Sequence, residues 1–368
     1  MSTYRIDIVG ACERIVAEAE TLSGENYAYN LRKKNGALDF ITSPENGGVD
    51  STLISYQQGK KIAKLHIFYD QRTKACEITD NCDANVCDEG STPVRKEDEV
   101  TISNCIKTPV RQYSNDDMVA LCKDTPAFMR GRGLSDLRAA HEFFSVRILA
   151  ELLARVGKNN EWDGTTTNAG QFKPVQILNS SMDEQFAPLP GNFAQVILDY
   201  ENNQFTGMPA FIGQGNLQLF YKLHDWSCCN STTPYGEADM EGEGRFYLDQ
   251  SANSVFGPNK FVMAAFDVVH LLTFNENRNI DISTATEQHI VVPDPFGYPF
   301  SWNLDFYFDN CTKTWKSQYS IVWGVFSPYD NGDSFAADGE STSPDASPDC
   351  NDALDGVTGL WGFEGTAA

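Results

Sequence analysis

Positive charge is scarce in this sequence. Its 368 residues hold 28 Lys and Arg against 51 Asp and Glu, a formal charge of −23. Such a field repels nucleic acid and anionic membranes, so a role in reading DNA sequence is not expected. Long apolar runs are also missing. No stretch reaches 18 consecutive apolar residues, and no membrane span is expected. The start, Met1-Ser-Thr-Tyr-Arg-Ile-Asp-Ile-Val, lacks a basic segment followed by an apolar one, so no secretory leader is expected and a reducing cytoplasm is the default site of synthesis.

The residues that carry chemistry are equally sparse. His66, His141, His224, His270 and His289 form no HxxxH or HxH pair. There is no G-x-x-x-x-G-K-[ST] loop, no G-x-G-x-x-G fingerprint and no G-x-S-x-G elbow. Carboxylates are so frequent that no pair stands out. Asp199 and Glu201, for example, would face different sides of their helix. No catalytic residue and no cofactor site is therefore expected, and the chain does not read as an enzyme.

Ten cysteines are present, and in a cytoplasmic product free thiols are the expected state. Cys76, Cys82 and Cys87, with Cys105 as a possible fourth ligand, are the sole weak metal candidates. They lack the CxxC knuckle of zinc ribbons, and plain thiols in an acidic loop are the simpler reading.

Aromatic residues are what the chain has in quantity, 12% of it, with 23 Phe, 14 Tyr and 6 Trp. They require burial in a core or against other subunits. Helical spacing from Tyr4 to Leu22, closed by Gly24, predicts a first helix, and a polar loop follows to about Val49. Thr52 to Arg111 reads as β-structure, with apolar alternation in Ile62–Tyr69 and Glu99–Val110 around the Cys- and Asp-rich loop Cys76–Glu89. Short helical pieces at Asn115–Cys122 and Pro126–Arg130 precede the clearest element. There Ser135 is the expected N-cap, and Leu137, Ala140, Phe144, Ile148, Leu149, Leu152, Leu153 and Val156 make one apolar stripe up to Gly157. At 1.5 Å per residue that rod is roughly 33 Å long.

Further on, a strand is expected at Pro174–Leu178, a helix at Asn192–Asn203, a strand at Met208–Ile212 and a helical piece at Asn216–Leu223. The apolar run Phe261–Phe274 and His289–Val292 look like strands. Ser301–Phe326 is the best hairpin, with Trp302, Leu304, Phe306 and Phe308 on one side, a turn at Asp309-Asn-Cys-Thr, and Trp315, Tyr319, Ile321 and Trp323 returning. Residues 330–368 carry nine acidic residues and no Lys or Arg, the composition of an unstructured tail held at most through Leu360, Trp361 and Phe363.

This order of elements resembles the major capsid proteins of tailed bacteriophages, the Hong Kong 97-like fold. Local phrases resemble the family too. One is the helix Asn192–Asn203 leading into Phe205-Thr-Gly-Met-Pro-Ala-Phe-Ile-Gly-Gln-Gly, and another is Val292-Pro-Asp-Pro-Phe-Gly before the last strands. The resemblance covers about residues 1–330. It implies an α+β fold with an N-terminal arm (1–48), an extended β-hairpin or E-loop (49–112) and a peripheral domain (113–185) with its spine helix (135–157). An axial domain (186–289) and return strands of the peripheral domain (290–330) complete it, while the acidic tail (331–368) departs from the family pattern.

The function implied is a subunit that self-assembles, as pentamers and hexamers, into the icosahedral head shell around a DNA genome. Portal or decoration proteins would be partners, DNA would be near only non-specifically, and the chain would reside in the virion capsid. The alternatives are another virion part (tail-tube, decoration or head-fibre) and, behind it, a Cys-ligated zinc module. The excursion 49–112 has few large apolar residues for its length, so its burial is expected against other copies of the chain and not within one molecule.

Overall fold

In the computed structural model, the described residues are 8–24, 35–46, 50–57, 61–70, 95–179, 187–188, 190–203, 205, 208–214, 217, 239–240, 244–275, 287–327 and 357–367. A helix spans Ile8–Gly24 and a short one Gly36–Ile41. Five strands follow: β1 (Asp50–Gln57), β2 (Ile62–Asp70), β3 (Arg95–Ile102), β4 (Asn104–Lys107) and β5 (Arg111–Tyr113). Helices Asn115–Lys123 and Thr125–Phe128 and a π-helical turn, Met129–Gly133, lead into the long helix Leu134–Ala154. Next come β6 (Asn159–Asn160), β7 (Thr166–Thr167), β8 (Phe172–Asn179) and β9 (Ala187–Pro188), then helix Pro190–Asn202. The chain continues through β10 (Ala210–Gly213), β11 (Asp239–Met240), β12 (Gly244–Leu248), a turn of helix at Ala252–Val255 and β13 (Lys260–Ala264). It closes with β14 (His270–Phe274), β15 (Glu287–Pro293), β16 (Ser301–Asp309), β17 (Thr314–Phe326) and β18 (Leu360–Ala367).

The mixed helix and sheet class expected from the sequence is what these elements build. One sheet has the antiparallel order β14-β17-β16-β15, with β4 and β5 also paired to β17. The β16–β17 hairpin sets Leu304 opposite Tyr319 and Phe308 opposite Trp315. Of the alternating apolar side chains foreseen there, Trp302, Leu304, Phe306, Trp315, Tyr319, Ile321 and Trp323 are buried, and Phe308 is partly buried.

The spine helix lies on this sheet. Phe144 packs 5.0 Å, between ring centroids, from Trp323 and 5.7 Å from Phe300. Ser135 is not its N-cap. The helix runs on from the π turn without a side-chain cap, because Gly133 is already helical, and it ends at Ala154, three residues before Gly157.

The second sheet has the order β11-β12-β10-β13-β18-β8-β9, with parallel pairs β10/β12 and β8/β18. Its core is aromatic: Phe211 stacks on Phe246, and Phe261 on Phe363. Trp361, fully buried, meets Tyr200 and Phe205 edge-on. The acidic segment therefore ends as an interior strand. Val357, Leu360, Trp361 and Phe363 are buried, and β18 sits between β13 and β8. Local composition pointed to a tail, but a few large apolar residues suffice once both strand edges are paired. Gly359 makes the approach possible at φ 78°, where a Cβ would meet Val268 Cγ1 at 2.7 Å.

The apolar run Phe261–Phe274 is two strands in two sheets. The chain turns between Ala264 and His270 through Asp267 at φ 65°, and Asp267 N donates to Asn46 Oδ1 at 2.9 Å. The chain changes sheets there, and β14 and β15 both belong with β16 and β17. The helical piece expected at 216–223 lies outside the described residues, apart from Leu217.

The excursion after residue 49 is a three-stranded antiparallel sheet, β1-β2-β3. Lys61, just before β2, reaches the body, and its Nζ donates to Ser320 Oγ at 3.1 Å. The expectation that this excursion finds no burial on its own chain is corrected. Ala63, Leu65, Ile67 and Ile102 form a satellite core with Leu272, Val322 and Phe326, and Tyr56 packs 4.7 Å from Phe274. Period-2 alternation in β2 puts three apolar residues on one face, and β14 and β17 supply the surface that covers it.

Gly324 is the close contact of this joint: a Cβ there would lie 2.3 Å from Ile102 Cγ2. Gly324→Ala is expected to cost about 1–3 kcal/mol through overpacking. Hydrogen exchange should accelerate in β2 and β3 first while the spine helix stays protected. Uniform acceleration across the chain would contradict this reading of the joint.

Candidate functional site

The cysteine candidates separate on inspection. Cys105 stands on β4 opposite Val322 and is half-buried. Burial pushes its thiol above the ordinary range, the direction that disfavours a thiolate ligand. Cys76, Cys82 and Cys87 lie outside the described residues. Among the described residues, no three His, Cys, Asp or Glu side chains are grouped to hold a metal. No described helix is long and apolar enough to cross a membrane.

What the fold does assemble is a set of buried polar pins that fix the plate, and exposed apolar positions that the plate presents. The first pin joins the spine helix to the loop before β16. His141 is fully buried, with Nδ1 2.6 Å from Leu137 O and Nε2 2.8 Å from Asp294 Oδ1. Phe296, Tyr298, Phe300 and Trp302 surround its ring at 5.0–5.8 Å. Asp294 also accepts from Phe296 N, Tyr298 N and Trp302 Nε1, at 2.9, 3.3 and 3.0 Å. The Asp-Pro-Phe-Gly phrase of the sequence is therefore a turn closed by its own aspartate.

The second pin is Asp249, at the end of β12. It accepts from Ala37 N at 3.2 Å, from Ser251 N at 2.8 Å and from the Ser145 hydroxyl of the spine helix. The third joins the loop after β6 to helix Pro190–Asn202. Asp199, fully buried, accepts from Trp162 N at 3.0 Å, Asn159 Nδ2 at 3.1 Å and Lys173 Nζ at 2.7 Å. Sequence reading missed all three. Each is a single polar residue in an apolar setting, without a motif, whose long-range partners lie 26 to 212 positions away.

The pins hold apolar residues at the surface. Trp162 and Leu198, on the two segments joined through Asp199, are 48% and 43% exposed. On the three-stranded sheet, Leu53 and Ile54 are 49% and 45% exposed. They belong to β1, which among the described residues pairs only with β2. Leu53 stands opposite Leu65, and the register slips at Ile54, so the two adjacent residues interrupt the alternation. β1 carries one charge, Asp50, and neither Lys nor Pro, the residues that usually protect an open edge.

No family model matches the sequence, and comparison with curated proteins gave no match. Among solved structures, the chain is similar to the capsid asymmetric unit of cyanophage A-1(L). The identity is 11%, with 82% of this chain and 87% of that one covered at a TM-score of 0.43. It is similar to the mature capsid of bacteriophage PhiM1, with 11% identity, 82% of each chain covered and a TM-score of 0.38. For the head structure of Helicobacter pylori bacteriophage KHP40 the values are 7% identity, 84% and 85% coverage and a TM-score of 0.35.

Burial raises the Asp249 carboxyl above its ordinary range, against the hydrogen bonds that lower it. The folded chain then holds this proton to higher pH than the unfolded chain, so the residue's contribution to stability falls as pH rises through its folded titration. Asp249→Asn removes that dependence and leaves one backbone N–H short of an acceptor, at a cost of about 1–3 kcal/mol. Urea unfolding from about pH 4 upward should show the wild-type advantage over the variant shrinking with pH. A constant difference would contradict the assignment.

Proposed function

We propose that this chain is a structural building block that closes into a shell with many copies of itself. More particularly, we read it as the major capsid protein of a tailed-bacteriophage head, arranged in pentamers and hexamers around the genome. Support comes from the layout: a β excursion, a spine helix flat on a long sheet, and a second sheet reached and left by the same chain. A tail-tube or decoration subunit built as a sandwich or barrel would not carry such a helix.

One observation carries the proposal, the edge of β1 that stays open among the described residues. The plate's own core is filled by aromatic side chains, yet Leu53 and Ile54 remain in solvent on an unprotected strand. A second copy offers them burial. Each subunit contact needs on the order of 1,000 Å² or more, and contacts repeated around a ring add through multivalency. The charge of −23 suits an enclosure that lies beside packed DNA without adhering to it. Portal or decoration proteins would join such a shell, and a host cytoplasm would be its place of synthesis.

Replacing Leu53 and Ile54 together by Asp should leave a folded chain, since neither belongs to a core, and should abolish assembly. Sedimentation is expected to show capsomers or monomers where the wild type sediments as particles. Particles of unchanged size from the double variant would count against the proposal.

A further inference from the structure

Lys173, Asp199 and Glu161 come from three segments: β8, helix Pro190–Asn202 and the loop after β6. Lys173 Nζ lies 2.7 Å from Asp199 Oδ2 and 2.9 Å from Glu161 Oε2. The Asp199 side chain is fully buried, and those of Lys173 and Glu161 are 9% and 12% exposed. An amine pressed on a carboxyl group in a nearly dry site, with a second carboxylate on the same amine, is the arrangement that amide condensation requires. From this juxtaposition we infer that Lys173 and Asp199 can join through an isopeptide bond within one chain, with Glu161 as the proton carrier.

The atoms balance without any other reactant. The Lys173 ammonium gives one proton to Asp199, leaving a neutral amine and a neutral acid. Nζ then attacks Cγ, and the N–C bond forms as the nitrogen passes a second proton to Glu161. Trp162 N–H, 3.0 Å from Oδ1, stabilises the oxygen that gathers charge. The Cγ–Oδ2 bond breaks, Oδ2 takes the proton back from Glu161, and water leaves. The third ammonium hydrogen stays on the amide nitrogen, and Glu161 ends ionised as it began.

The environment favours these roles. Burial pushes the Asp199 carboxyl up, toward the neutral acid. Burial also raises Glu161, but hydrogen bonds from Thr167 and Lys173 outweigh it and hold this carboxylate ionised, ready to accept a proton. Burial pulls the Lys173 amine down, yet the two carboxylates outweigh it and raise its pKa. The neutral amine is therefore scarce and the bond forms slowly. It would tie β8 to helix Pro190–Asn202 covalently, whether or not the chain builds a shell.

Intact-mass measurement of the full chain, aged in the folded state and then denatured, tests this. The wild type should weigh one water less than its sequence requires. Digestion should yield one branched peptide pair joining Lys173 to Asp199. Lys173→Arg should show the full mass. Because that change removes a buried partner, Glu161→Gln is examined beside it, with circular dichroism confirming that it folds. It too should show the full mass. Full mass in the aged wild type overturns the inference, as does a water loss confined to one unbranched peptide, the mark of a cyclised aspartate. A folded Glu161→Gln chain that cross-links as fast as the wild type removes Glu161 from its role.

Discussion

Helix Leu134–Ala154 packs on the first sheet and is hydrogen-bonded toward the second, and each polar residue on its buried face is answered by a different part of the chain. Asp136 binds Arg111 at the start of β5, His141 faces Asp294 before β16, and Ser145 reaches Asp249 after β12. Past the helix end, Arg155 donates to Val325 O and its own carbonyl accepts from Thr358, while Gly157 N donates to Leu360 O. A buried polar group without a partner costs roughly 1–3 kcal/mol, so every such contact fixes one element's place along the helix. The relative position of the two sheets follows from this rod and its attachments.

That rigidity gives the surface its meaning. A side chain such as Trp162 is useful for assembly only if its backbone is held, and Trp162 N is held by the buried Asp199. Leu53 and Ile54 sit on a sheet whose near half is anchored by Ala63, Leu65 and Ile67 on the body. The excursion is thus split. Its root is part of the chain's own core, and its outer strand leaves Leu53 and Ile54 exposed. Preorganisation of this kind lowers the entropy spent on any contact made there.

Elements with strong local periodicity were legible in the sequence. The spine stripe from Leu137 to Leu152 and the aromatic alternation of Trp302 to Trp323 could be assigned because burial on one face repeats at the period of the element. Residues whose fate depends on distant partners were not. Leu360 to Phe363 read as part of a charged tail because nothing nearby shows that β13 and β8 flank them. The run Phe261–Phe274 hid a sheet change, since apolar content is the same on both sides of Asp267. Ala63, Leu65 and Ile67 looked too few to be covered internally, because Leu272, Val322 and Phe326 arrive from more than 200 residues away. The functional surface was visible only as an excess of aromatic and apolar residues with no chemistry attached.

On this proposal the finished unit is a shell and not a single chain. Electron microscopy of the full-length protein, purified and concentrated without other virion components, tests it most directly. Curved plates or closed particles tiled by five-fold and six-fold rings of this one polypeptide are expected. A uniform field of single subunits, unchanged across salt and protein concentration, would contradict it.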